Sequence, residues 1–341
     1  MIKSLQSIRF VFALMIFLHH SVFPITALGA YPVTFFLILS GFVLMKGTNG
    51  GVEDKCQYLP FFLKRVRKIY PVHILCLLLA IGVMLLIKKH IDWVSLIPNA
   101  FMVQAWIPNG RFYFSGNSVS WYLSVMVFCY AMFPLLAKWI KSWGGHFMLI
   151  LLLVYSVAFL LVPDKSVHAF VYVNPLFRLF DFSLGIWLYH LCSNGSMEGL
   201  TKRLDGLSTI KKSLLEVALI LLSIILVMLS FGVERRYAYA CFWWLPSLLI
   251  IYLYFVFGKN GGLITKILNN KYMVLLGSLS FVFYMLHIQV LTINNYLMEN
   301  VISMNYYLNG VLVLLITTGL SYLITYYYMP LFTKSNKVKQ K

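Results

Sequence analysis

The chain has 341 residues, 61% of them hydrophobic and only 11% charged, with a mean hydropathy of +0.83. That much apolar surface exceeds what one soluble core can bury, which excludes an ordinary soluble enzyme and implies a polytopic, all-α transmembrane bundle. A net charge of +18 would suggest nucleic acid in a soluble protein, but here it follows membrane topology and no nucleic-acid partner is expected.

Ten apolar stretches predict spans near 8–28, 31–48, 70–88, 119–138, 146–162, 174–192, 214–232, 238–257, 273–295 and 308–331. The stretch 92–107 is shorter and broken by Pro98, and reads as a re-entrant or interfacial helix, with an eleventh span as the alternative. With a cytoplasmic N-terminus, the inside segments collect 21 of the 28 Lys and Arg residues and the outside loops six, which predicts both termini in the cytoplasm. Residues 1–332 read as one membrane domain and 333–341 as a basic cytoplasmic tail. Cys56, Cys76, Cys129, Cys192 and Cys241 are scattered, so neither a disulfide framework nor a metal site is expected. Ala27-Leu-Gly-Ala30 has the look of a signal-peptidase site, but a secretory segment rarely carries an arginine and two histidines, so the first span is expected to be retained.

That first span is the most informative. Arg9 and His20 stand eleven residues apart, three helical turns plus about 20°, so both project from one face about 16 Å apart, while His19 points about 80° away. Ionisable groups at membrane depth are costly and mark function by default. The alternative is an arginine snorkelling to the interface and a histidine satisfied by a neighbouring helix.

In the second span, Ser40 and Gly41 let another helix approach closely. Lys64, Arg65, Arg67 and Lys68 at the mouth of the third form either an anchor to anionic headgroups or a phosphate site. Glycine-rich nucleotide cradles are absent. Trp121 and Tyr122 suit an outer aromatic belt. Arg178 and Asp181 are spaced to pair on one helix face, or Asp181 orients a histidine; Tyr284 and His287 share a face of the ninth span.

In this order the motifs resemble the membrane-bound acyltransferase family 3, whose members modify bacterial surface glycans and related acceptors. The first-helix arginine and histidine fall on Arg9 and His20, the aromatic Ser-Gly motif on Phe35 to Phe42, and the basic motif before Ile-Tyr-Pro on Lys64 to Pro71. Asn-Pro-Leu-Phe-Arg with its following acid falls on Asn174 to Gly185, and the late Tyr-x-x-His on Tyr284 and His287. One departure stands out: the family's Trp-Ser-Leu-Ser-Val-Glu-Glu reads Trp121-Tyr-Leu-Ser-Val-Met126-Val127 here.

The resemblance implies an O-acyltransferase of the bacterial cytoplasmic (inner) membrane with no bound cofactor. Acetyl-CoA or another acyl-CoA would be the donor, and a surface glycan or its lipid-linked precursor the acceptor. Arg65, Arg67, Lys64 and Lys68 would hold the donor phosphates, with Arg9 further in; His20 would be the general base and Ser40 a candidate for the oxyanion. Membrane lipids are the remaining partners, and the oligomeric state stays open. Two rival readings are a transporter or flippase of lipid-linked sugars using Arg9, Asp181 and His287 as a polar path, against which the lack of an inverted repeat weighs, and a catalytically silent family member.

Overall fold

The computed structural model describes residues 2–21, 25–301 and 305–333, and among them every regular element is helical. Each of the ten apolar stretches holds a helix: α1 (Lys3–Ser21), α2 (Thr26–Gly47), α3 (Tyr58–Leu86), α4 (Trp121–Trp143), α5 (Gly145–Leu161), α6 (Pro175–Ser193), α7 (Thr209–Leu229), α8 (Trp244–Phe257), α9 (Lys271–Asn300) and α10 (Tyr306–Leu323). Six of these, α2, α3, α4, α7, α9 and α10 with their short extensions, are long and apolar enough to cross a membrane, and a seventh crossing arises if α5 and the segment Asp164–Val173 count as one span bent by 113°. The helices α1 and α6 are 19 residues each but fall outside that set; they carry the polar residues Arg9, His19, His20, Arg178 and Asp181. The tail from residue 334 lies outside the described residues.

Two segments differ in length from a full span. The segment after Asp92 forms the 8-residue helix Trp93–Ala100, about 12 Å long, too short for about 30 Å of hydrocarbon. The loop that follows is knitted by buried amides: Asn99 Nδ2 donates to Ser115 O at 2.6 Å and Ser120 Oγ at 3.0 Å, and His73 Nε2 bonds Asn99 O at 2.8 Å. The stretch expected to span 238–257 forms the shorter apolar helix Cys241–Phe257, a 3-10 turn leading into the 14 residues of α8. Arg236 just before it is tied to the end of α5, donating to Phe159 O and Val162 O at 2.6 Å each, and the chain turns there before the helix begins.

Helix ends follow local chemistry. Asn174 accepts the Leu176 amide with Pro175 at the first helical position of α6, and Asn270 caps α9 through the Tyr272 amide. Gly144, at φ +51°, makes the left-handed turn that joins α4 to α5 without a loop.

Packing centres on α2, whose apolar window is 78% buried, against 6% for the lipid-facing α7. The helices α2 and α6 cross at Gly41 and Gly185. A Cβ at Gly41 would collide with Phe182 O, and one at Gly185 with Ile38 O. Gly277 likewise lets α9 lie against Gln6 O of α1. Without a hydrophobic drive between helices in lipid, such close backbone approach supplies the van der Waals contact that holds them. Phe12 stacks on Phe35 with centroids 3.8 Å apart, fixing α1 against α2. The triad α1, α2, α9 is therefore locked at its crossings and frames the site.

Candidate active site

Two cavities follow one another along α1. The first, about 400 Å³, meets α1 at Leu5, Arg9 and Ile16, α2 from Val33 to Leu44, and α3 at Arg65, Lys68 and Ile69. The second, about 360 Å³, meets α1 at Ile16, His19 and His20 and α2 at Gly29 and Val33. Ile16, Val33 and Tyr284 line both, so these three side chains form the wall between them. Helical phase explains the division of α1: Arg9, Ile16 and His20 recur on one face, the arginine low in the first cavity and the histidine in the second.

The first cavity is cationic. Arg9, Arg65 and Lys68 line it, and among the described residues none of them forms an ion pair. Arg65 sits over the Phe61 ring at 5.4 Å, and its Nε is buried without a hydrogen-bond partner. Arg9 and Arg65 are half-buried and Lys68 is exposed, and cations without a counter-charge around one cavity suit an anionic ligand. The basic run splits by helix phase, however: Lys64 and Arg67 are exposed and line neither cavity. Residues two apart on a helix face away from each other, so Arg65 turns half-buried into the cavity while Arg67 stays outside it, and Lys68 lines the cavity from an exposed position.

The second cavity is lined by imidazoles and aromatic rings. His19, His20 and His168 face it, with Phe114, Trp121, Tyr172 and Tyr239. His20 Nδ1 lies 3.0 Å from Ile16 O and 3.1 Å from His287 Nε2, while His287 Nδ1 lies 2.6 Å from Tyr284 O. The Tyr284 hydroxyl donates to Val119 O at 2.7 Å, and Asn117 Nδ2 donates to Met285 O at 2.8 Å, so the turn of α9 carrying His287 is held from the loop just before α4. Among the described residues no group of three or more His, Cys, Asp and Glu stands close enough to hold a metal ion.

A comparison with known families decides the class. The sequence profile described as Acyltransferase domain matches residues 2–327, nearly the whole chain. This chain belongs to the membrane-bound acyltransferase family 3. It is also 33% identical over 124 residues to the acyltransferase MdmB of Streptomyces mycarofaciens, a match that covers 35% of this chain and 31% of that relative. No solved structure was found to match.

The family motifs take distinct positions in the fold. Ser40 lines the cationic cavity while its neighbour Gly41 faces α6, so the Ser-Gly pair serves site and crossing at once. Met126 also lines that cavity, and among the described residues no carboxylate lines it.

Arg178 and Asp181 pair at 2.6 Å, buried and outside both cavities. Asp181 also accepts from Trp244 Nε1 at 2.5 Å, and Arg178 donates to Tyr172 O at 2.8 Å, so the pair braces the aromatic wall and no histidine bonds to the acid. Trp121 is 4% exposed and lies tilted against Tyr172, ring centroids 4.9 Å apart, rather than standing in an outer belt, and Tyr122 lines the cationic cavity. Both were expected at the lipid boundary; Tyr172 of the 164–173 segment lies against Trp121, and Tyr284 of α9 lies against Tyr122.

His19, expected to point away from the site, also reaches the second cavity. Its ring lies against Gly29 of α2, where no side chain blocks it, and its Nδ1 bonds Ile25 O at 2.9 Å. His168, Tyr172 and Tyr239 carry no local sequence signal. They arrive from the bent 164–173 segment and the turn before α8, with His168 Nδ1 3.2 Å from the Tyr113 hydroxyl.

Proposed function

We propose that this multi-pass acyltransferase moves an acyl group, acetyl in the simplest case, from acyl-CoA to a hydroxyl of a cell-surface glycan or its lipid-linked precursor. The observation that carries this reading is the pair of cavities sharing the wall of Ile16, Val33 and Tyr284, one cationic and one bearing imidazoles. In the proposed orientation both termini are cytoplasmic, the chain crosses the bacterial cytoplasmic membrane ten times, and the cationic cavity opens inward.

The donor phosphates meet Arg65 and Lys68, with Arg9 deeper, where guanidinium groups bind phosphate oxygens bidentately. The thin pantetheine arm carries the thioester towards the shared wall. The acceptor hydroxyl lies in the second cavity against the aromatic rings, its proton directed at His20. As its oxygen bonds to the acyl carbon, His20 Nε2 takes the proton; as the C–S bond breaks, the leaving thiolate takes it back. The three unpaired cations favour this reading over a sugar transporter, because they suit a small polyanion at one face.

The test is transfer of radiolabelled acetyl from acetyl-CoA to membrane glycans, comparing wild type with His20→Ala at matched expression. General base catalysis is worth about 10²–10⁴-fold, so His20→Ala is expected to lose at least 100-fold while still binding donor. Wild-type rate in His20→Ala removes His20 as the base. Movement of unmodified glycan without any donor points to the transporter instead.

A further inference from the structure

His287 lines neither cavity and is fully buried, yet it bonds the one imidazole on which the acyl-transfer reading rests. Its Nδ1 lies 2.6 Å from the carbonyl oxygen of Tyr284, an atom that only accepts, so Nδ1 carries the ring proton. A buried imidazole with no carboxylate partner is neutral, and its Nε2 therefore offers a lone pair. That lone pair faces His20 Nδ1 at 3.1 Å, and the Ile16 carbonyl faces the same nitrogen at 3.0 Å. With two acceptors and no donor around it, His20 Nδ1 bears the proton. The lone pair of His20 is thereby left on Nε2, which has no hydrogen-bond partner among the described residues and belongs to a side chain lining the second cavity.

We propose that His287 is the positioning residue of the reaction: a neutral imidazole that holds His20 in the tautomer and ring orientation needed to take a proton at Nε2. This deepens the acyl-transfer reading and rests on it. The acceptor hydroxyl's proton goes to His20 Nε2 as the C–O bond forms and leaves from the same atom to the thiolate as the C–S bond breaks. Throughout, His20 Nδ1 keeps its own proton, donated to His287 and to Ile16 O. The dyad does what a carboxylate does in other acid–base sites, without burying a formal charge beside the base.

Two amide substitutions separate this role from simple packing. In His287→Gln the side-chain oxygen reaches the region of the imidazole Nε2 and can still accept from His20. In His287→Asn the amide reaches only the region of Nδ1 and can satisfy the Tyr284 carbonyl but not His20. Removing an orienting partner of this kind typically costs 10–100-fold. The expected result is that His287→Gln keeps kcat within about tenfold of wild type, while His287→Asn loses about 100-fold in kcat with an unchanged KM for acetyl-CoA. Equal kcat in the two variants, or a faster His287→Asn, overturns the proposal, because a purely structural bond to Tyr284 favours asparagine. Should His287→Asn fail to accumulate, His287→Gln decides alone: kcat within about tenfold supports the dyad, and a fall to the His20→Ala level overturns it. Full activity in His20→Ala would instead remove the acyl-transfer reading itself, so the two failures are distinguishable.

Discussion

Replacing Arg65 and Arg67 one at a time should separate two cations that stand two residues apart. Arg65 lines the cavity with its Nε buried and unpaired, whereas Arg67 is exposed and lines nothing. A hydrogen bond between charged partners is worth about 1.5–3 kcal/mol, so Arg65→Ala should weaken acetyl-CoA binding by about 10- to 150-fold. An exposed charge contributes about 0–1 kcal/mol, which limits Arg67→Ala to about fivefold, and salt should screen that smaller effect further. The assay is calorimetric titration of acetyl-CoA into purified protein in lipid nanodiscs at two salt concentrations. Equal losses for the two variants would refute the assignment of the donor to this cavity, and would leave the whole basic run as an anchor to anionic lipid headgroups.

Further outcomes follow from the packing and from the loop between α3 and α4. Gly185→Ala drives a Cβ into Ile38 O at the crossing of α2 and α6, and overpacking of this kind costs about 1–3 kcal/mol; a melting temperature equal to wild type would mean that the helices separate without penalty. In the loop between α3 and α4, Arg111 donates to Asp92 through Nε at 2.5 Å and Nη2 at 3.0 Å, and with help from Ser95 holds that carboxyl well below the usual range. Because the folded-state value is depressed, this contribution is complete above the ordinary carboxylate pKa of about 3.9 and is lost as pH falls below it towards the depressed value. A small Tm difference between wild type and Asp92→Asn at neutral pH should therefore close in acid, and a difference that persists there would argue against the pairing.

Hydropathy located the helices because each lipid-facing surface must be apolar along its own sequence, a local property. The phase of α1 likewise put Arg9 and His20 on one face, since eleven residues nearly complete whole turns. Phase cannot say which face of a helix turns inward, and there the sequence misled. Trp121 was expected among headgroups, yet it is enclosed by a segment more than forty residues away. The four cations of the basic run looked equivalent until the position of α3 against α4 and α9 divided them. His19 was set aside on angle alone, although the bare backbone at Gly29 gives its ring room to swing into the cavity. His168 and Tyr239 reach the site through the bend after α5 and the turn tied down by Arg236, tertiary arrangements that no window of sequence contains.

The wall of Ile16, Val33 and Tyr284 has an electrical consequence in the proposed orientation. Where two cavities approach to within one layer of side chains, the membrane voltage drops mainly over that layer instead of over the full hydrocarbon thickness. A unit charge crossing the whole field exchanges about 2.3 kcal/mol per 100 mV. A proton shuttled from acceptor oxygen to thiolate through His20 moves inside this focused field, so turnover in an energised membrane would respond to voltage. Protein in detergent, with no potential across it, would turn over at a rate fixed by chemistry alone.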